Sequence, residues 1–136
     1  MSRVTITGNI EESVKFIAAE IPRQMASRSY RASNELRNSA LSILSGARSG
    51  RMYGGHQASA PGEPPAVWSG TFRLAWQPVT IAGGTTFLSR IENGTFYAGW
   101  LEHGTPGGQM APRPHHDRIQ NDALPRIVGI YDEPYF

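Results

Sequence analysis

Residues 97–114 read YAGWLEHGTPGGQMAPRP, and the reading of this stretch decides the fold. Tyr97, Trp100 and Leu101 recur at spacings of three and four, the period of one short helical turn with an apolar face. Glu102 closes that turn. Gly104 then suits the position just past a helix end, where a left-handed backbone is needed and only glycine adopts it cheaply. Pro106 pushes Thr105 towards an extended conformation. Ala111-Pro112-Arg113-Pro114 reads as an extended, polyproline-like strap returning the chain to its body. Tyr97, Trp100, Glu102, Gly104, Thr105, Pro112 and Pro114 are therefore read as a structural turn. Glu102 is expected to accept from amides or the hydroxyl around Gly104 and Thr105, or from an arginine.

Upstream, Val4 and Ile6 alternate with polar residues, which suggests a short strand over 3–7. Asn9 is a plausible N-cap with Glu12 in capping-box position. Ile10, Val14, Ile17 and Ile21 keep helical spacing up to Pro22, which ends this helix or opens the next. A second, long helix is expected over 23–45, with Leu36, Ala40, Ile43 and Leu44 as its main apolar face and Met25, Tyr30 and Ala32 weaker. Gly46 stops it. Arg28, Arg31, Arg37 and Glu35 are placed away from the core. At roughly 33 Å this helix is long for so small a domain, and part of it is expected to project to or pack on neighbours.

Residues 48–68 are rich in glycine and proline and lack periodicity. Structureless loops above about 15 residues are usually functional or ordered by a partner. The segment is read as an arm lying on an adjacent subunit, with Arg48, Arg51, Tyr53, Pro61, Gly62, Pro64, Pro65 and Trp68 as interface candidates. Beyond it Phe72, Leu74 and Trp76 alternate as a strand. Val79–Ala82 continues it past Pro78, and Gly83-Gly84 marks a hairpin. Phe87, Ser89 and Ile91 form one face of the next strand. Asn93-Gly94 marks a second hairpin returning through residues 95–97. Ile119, Ala123, Ile127 and Ile130 keep helical spacing at the C-terminus, with Pro125 kinking or restarting the helix. The expected fold is α+β in a single domain over 1–136. Two N-terminal helices, one long, pack on an antiparallel β-meander, the arm lies between them, and a short C-terminal helix closes the chain.

Composition narrows the function. The 136 residues contain no cysteine, so there is neither a disulfide framework nor thiolate chemistry. No apolar run approaches the ~18 residues of a membrane span, and no signal peptide is evident. Net charge is +2, but residues 23–51 carry six arginines against one acid, Glu35. Arginine suits protein interfaces and nucleic acid alike. Of the four histidines, His56 lies in the arm, His103 in the aromatic turn and His115-His116 beside the strap. Adjacent histidines in a helix point about 100° apart and rarely chelate one ion, and no HExxH or Cys/His pattern is present. No metal, cofactor or catalytic site is expected, and Glu102 and Asp117 lack a nucleophile or second carboxylate.

Tyr-Ala, a hydrophobic pair, Glu, one residue, Gly-Thr and an Arg-Pro entry into a C-terminal helix resemble the head–tail joining (neck, or tail-completion) proteins of long-tailed bacteriophages. Residues 58–66, ASAPGEPPA, followed by Ser69-Gly70-Thr71-Phe72-Arg73, are similar to a second strap of the same family, in the same order. Ser69, Phe72, His103 and His115-His116 depart from the family's usual residues. The resemblance implies a non-enzymatic virion protein, assembled in the host cytoplasm into a ring, by default hexameric, at the head–tail junction. Its partners would be further copies of itself and neighbouring neck and tail-tube proteins, with DNA passing through the lumen without specific binding. Neither a membrane nor a small-molecule substrate is implied. Tail terminator and connector remain equal options. A nucleic-acid-binding module using the arginine-rich stretch 23–51, and a small hydrolase built on Glu102 and His103, are the alternatives.

Overall fold

A computed structural model describes residues 10–67 and 70–136. The expected strand over 3–7, the Asn9 cap and Trp68 lie outside the described residues. The fold is α+β. One helix, α1 (Ile10–Leu44), is followed by a two-residue ribbon, β1 (Met52–Tyr53) and β2 (His56–Gln57). A helical turn, α2 (Thr71–Leu74), leads into an antiparallel hairpin of β3 (Trp76–Gly83) and β4 (Thr86–Asn93). Two helices, α3 (Ala98–His103) and α4 (His116–Tyr131), complete the order.

Several expectations are corrected. The two N-terminal helices are a single helix of 35 residues with Pro22 inside it, about 52 Å long. α4 likewise runs through Pro125. Both prolines are exposed, as are Ala18 and Asn121 four residues before them. The carbonyls orphaned by the missing N–H can therefore meet water, and neither proline stops its helix. The segment 71–74 is helical rather than extended. Phe72 and Trp76 point inward together, with ring centroids 5.9 Å apart, while Leu74 between them is 55% exposed. Period two would have buried all three.

The meander is a two-stranded hairpin. Its turn is Gly84-Thr85, one residue later than expected, with Gly84 at φ +57° and Gly83 paired to Thr86. The Asn93-Gly94 hairpin does not form. A type I′ turn needs positive φ at both residues, and neither has it. The Asn93 side chain instead accepts from the N–H (3.0 Å) and hydroxyl (2.8 Å) of Thr95. This local turn sends the chain into α3, not into a third strand. Phe87, Ser89 and Ile91 do share the inward face of β4.

The core is small. Ala40, Leu44, Trp76 and Ile119 form its buried cluster, with Ile43, Phe72 and Ile91 against it. Along α1 the fully buried positions are largely serine and alanine: Ser29, Ala32, Ser33, Ser39 and Ala40. Small residues at helical spacing let α4 and the hairpin approach α1 closely, and the hydroxyls cross the seam. Ser33 Oγ donates to Val79 O at 3.0 Å, Ser39 Oγ donates to Asp122 Oδ2 at 2.7 Å, and Ser29 Oγ lies 2.9 Å from the Tyr131 hydroxyl. Tyr30, assigned to the apolar face, is 60% exposed.

Arg28 is also corrected. It is buried, and its guanidinium donates to the carbonyls of Ile130 (2.7 Å), Glu133 (2.7 Å) and Pro134 (2.9 Å) while lying 3.7 Å over the Tyr135 ring. These carbonyls end α4 or follow it, where the helix leaves acceptors without partners and negative dipole charge.

Candidate functional site: the strap, the arm and the histidine cluster

Residues 97–114 form the closed turn that their sequence suggests. α3 ends at Gly104, at φ +84°, whose N–H donates to Trp100 O at 2.8 Å. A side chain there is doubly excluded, because a Cβ would also stand 2.9 Å from Met110 O. Thr105 Oγ1 accepts from Met110 N at 2.9 Å and closes the glycine-rich loop. Arg113 N donates to Leu101 O at 2.7 Å, so the strap returns onto α3. Pro112 and Pro114 are exposed, and Trp100 is 44% exposed rather than part of a buried face. Tyr97 is half-buried against Phe72, at 6.0 Å between centroids.

Glu102 is structural, but its partners differ from those expected. Its Oε2 accepts from the backbone N–H of His115 (2.8 Å) and His116 (3.2 Å), not from Gly104 or Thr105. These amides open α4, with His115 as N-cap. Glu102 thus supplies from another helix the acceptor that a capping side chain usually provides, at the positive end of the dipole. Burial acts to raise its carboxyl. The two amides and the neighbouring imidazoles outweigh that, and it lies below the ordinary carboxylate value.

His115 is 1% exposed, packed in T-shaped contacts with Phe72 (5.4 Å) and Trp76 (6.0 Å). Its Nδ1 is 2.8 Å from Arg113 O and 3.0 Å from Glu102 Oε2, while Nε2 has no hydrogen-bond partner among the described residues. Desolvation pushes its imidazole below its ordinary value, so the neutral ring with the proton on Nδ1 fits both acceptors. His116 is half-exposed, with Nδ1 3.7 Å from Glu102 Oε1. Donor atoms of Glu102, His115 and His116 lie within 4.8 Å of one another. His103 stands at the rim, its ring 6.4 Å from that of His116. The sequence carried no signal for this grouping beyond the Pro-His-His junction.

The arm splits into two parts. Its base belongs to the body. Arg48 donates to the carbonyls of Pro64 (2.7 Å) and Ile43 (2.7 Å), and Pro64 and Pro65 are buried. Glu63 accepts from the N–H groups of Ala60 (2.6 Å) and Ser49 (3.0 Å). The two motifs quoted for the family resemblance meet here: Arg113 Nε donates to Ser59 Oγ (2.8 Å), and Gly62 N donates to Pro112 O (3.2 Å). The outer part, the β1–β2 ribbon, is exposed, with Met52 56% and Tyr53 49% accessible and Arg51 5.2 Å over the Tyr53 ring. Pro61 and Gly62 are exposed as well.

Among the described residues no helix is long and apolar enough to cross a membrane. No family model, curated protein or solved structure matches the chain.

Proposed function

We propose that the chain is a non-enzymatic structural protein of the phage head–tail junction. It assembles with copies of itself into a ring, hexameric by default, as a tail-completion, terminator or connector component. The observation that carries this reading is a set of large apolar side chains left exposed across the described chain. Val14 (55%) and Phe16 (65%) are exposed near the start of α1, Met52 and Tyr53 on the ribbon, and Phe96 (84%) and Trp100 beside the strap. A compact chain of this length has a radius of gyration of about 14 Å, so a helix of about 52 Å extends beyond it. The junction of the two resemblance motifs through Ser59–Arg113 and Gly62–Pro112 supports the same reading.

The nucleic-acid alternative needs arginines free to meet phosphate. Within 23–51, Arg23 pairs with Glu20, Arg31 with Glu133, Arg28 and Arg48 bind backbone carbonyls, and Arg37 donates to Trp76 O at 3.0 Å. Those partners engage five of the six arginines of the stretch, which weakens the nucleic-acid reading.

Native mass spectrometry and negative-stain imaging of the pure protein test the proposal, with a closed ring as the expected result. Phe16→Asp and Tyr53→Asp should each reduce the ring to monomer without changing the circular dichroism spectrum. A protein that stays monomeric at high concentration and binds no isolated phage tails would sink the reading.

A further inference from the structure

We propose that Glu102, His115 and His116 bind one divalent transition-metal ion of the zinc class. This rests on the geometry of the cluster and is independent of the assembly reading. Adjacent histidines inside a helix diverge by about 100°. Here the helix boundary falls between the two: His115 is the N-cap, at φ −144°, and His116 is the first residue of α4. Their rings stand 4.7 Å apart, and both Nδ1 atoms face the Glu102 carboxylate, at 3.0 Å and 3.7 Å. Ligand atoms held at zinc bond lengths in a tetrahedron lie about 3.4 Å apart. The two contacts end on different carboxylate oxygens, and one donor atom from each residue lies within 4.8 Å of the others, so the side chains must close in to become three ligands.

The donor set names the class of ion. Two imidazoles and one carboxylate suit zinc, cobalt, nickel or copper, whereas calcium and magnesium call for oxygen ligands. Three protein ligands leave a coordination position for water. His116 is half-exposed, so the cluster meets solvent on that side. Binding has a cost at His115. Nδ1 must release its contact with Arg113 O, and the ring proton moves to Nε2, which is buried without a partner among the described residues. The affinity expected is therefore below that of closed structural zinc sites. The ion would join the end of α3 to the start of α4, so binding should raise the melting temperature by mass action.

The test uses the full chain without an affinity tag. Titration calorimetry with zinc chloride should give one ion per chain, and cobalt(II) should give a visible absorption band of a low-coordinate site. Variants of Glu102 and His115 disturb a helix cap and a buried ring, so His116→Gln, on a half-exposed residue, is the deciding variant. It should fold normally and weaken zinc binding about tenfold or more, and lose most of the zinc-dependent melting shift. In the wild type, long-range ¹H–¹⁵N spectra should report coordination through Nδ1 of both His115 and His116. Three results would each overturn the proposal: no binding at millimolar zinc, equal binding by His116→Gln, or loss on His103→Gln with the His115 resonances unmoved. The last would identify an exposed His103–His116 pair instead.

Discussion

The two ends of α4 are held by opposite charges from opposite distances in the chain. At its N-terminus Glu102, 13 residues before His115, accepts from the first amides. At its C-terminus Arg28, 102 residues before Ile130, donates to the last carbonyls. Both complement the helix dipole, but they differ in reach and burial. Glu102 lies within one closed turn, so little chain must be ordered to bring it to its partners. Arg28 is useful only after α1 and α4 have packed. The first is a local device that stiffens a turn; the second is a clasp that reports tertiary assembly.

Removing the clasp should have the larger effect. Arg28→Ala leaves several partly buried carbonyls without a donor and should cost about 3 kcal/mol, read as a lower urea midpoint. Arg28→Lys should restore less than half of the loss, because a single ammonium cannot serve carbonyls arranged for a planar fork. A fully stable Arg28→Ala would show that water replaces the guanidinium and that the C-terminal end needs no clasp.

Glu102→Ala should cost less, about 1–2 kcal/mol, the usual scale of a lost N-terminal cap. Faster amide exchange should be confined to the first turn of α4 and the strap. Equal exchange throughout α4 would mean that the two ends are one cooperative unit, which breaks the contrast.

Glu63 offers a pH-dependent counterpart to Glu102. Bonds from the Ala60 amide first, then from the amide and hydroxyl of Ser49, hold its carboxyl below the ordinary value. A carboxylate depressed in the folded state stabilises above its unfolded value, about 4.3, and loses that contribution as pH falls through the lower folded value. Amide exchange, corrected for its intrinsic pH dependence, should therefore rise across residues 49–63 in acid before the clasp at Arg28 opens. Simultaneous loss of both would place the arm's base inside the main cooperative unit.

The smallest effect belongs to Arg31–Glu133, which sits beside the clasp at 2.7 Å but is nearly half-exposed on both sides. A double-mutant cycle should give the weakest coupling of the set, and still less in high salt. A larger coupling would mean that the C-terminal tail is held by charge at the surface as much as by the buried guanidinium.

By itself the sequence determined the features that depend on near neighbours. The stop at Gly104, the inward face of Phe87, Ser89 and Ile91 and the apolar stripe of the C-terminal helix follow from backbone sterics and hydrophobic period. Tertiary structure decided what sequence distance conceals. Pro22 and Pro125 continue their helices because their exposed faces let water take the freed carbonyl. Residues 71–74 became a helical turn because Phe72 and Trp76 could then reach one core together, and Asn93 used its side chain to close a local turn where a hairpin was expected. Arg28 left the polar face because carbonyls from the far end of the chain met it. His115 and His116 converge because a helix begins between them, and only the packing of α3 against α4 puts a carboxylate where both imidazoles can face it.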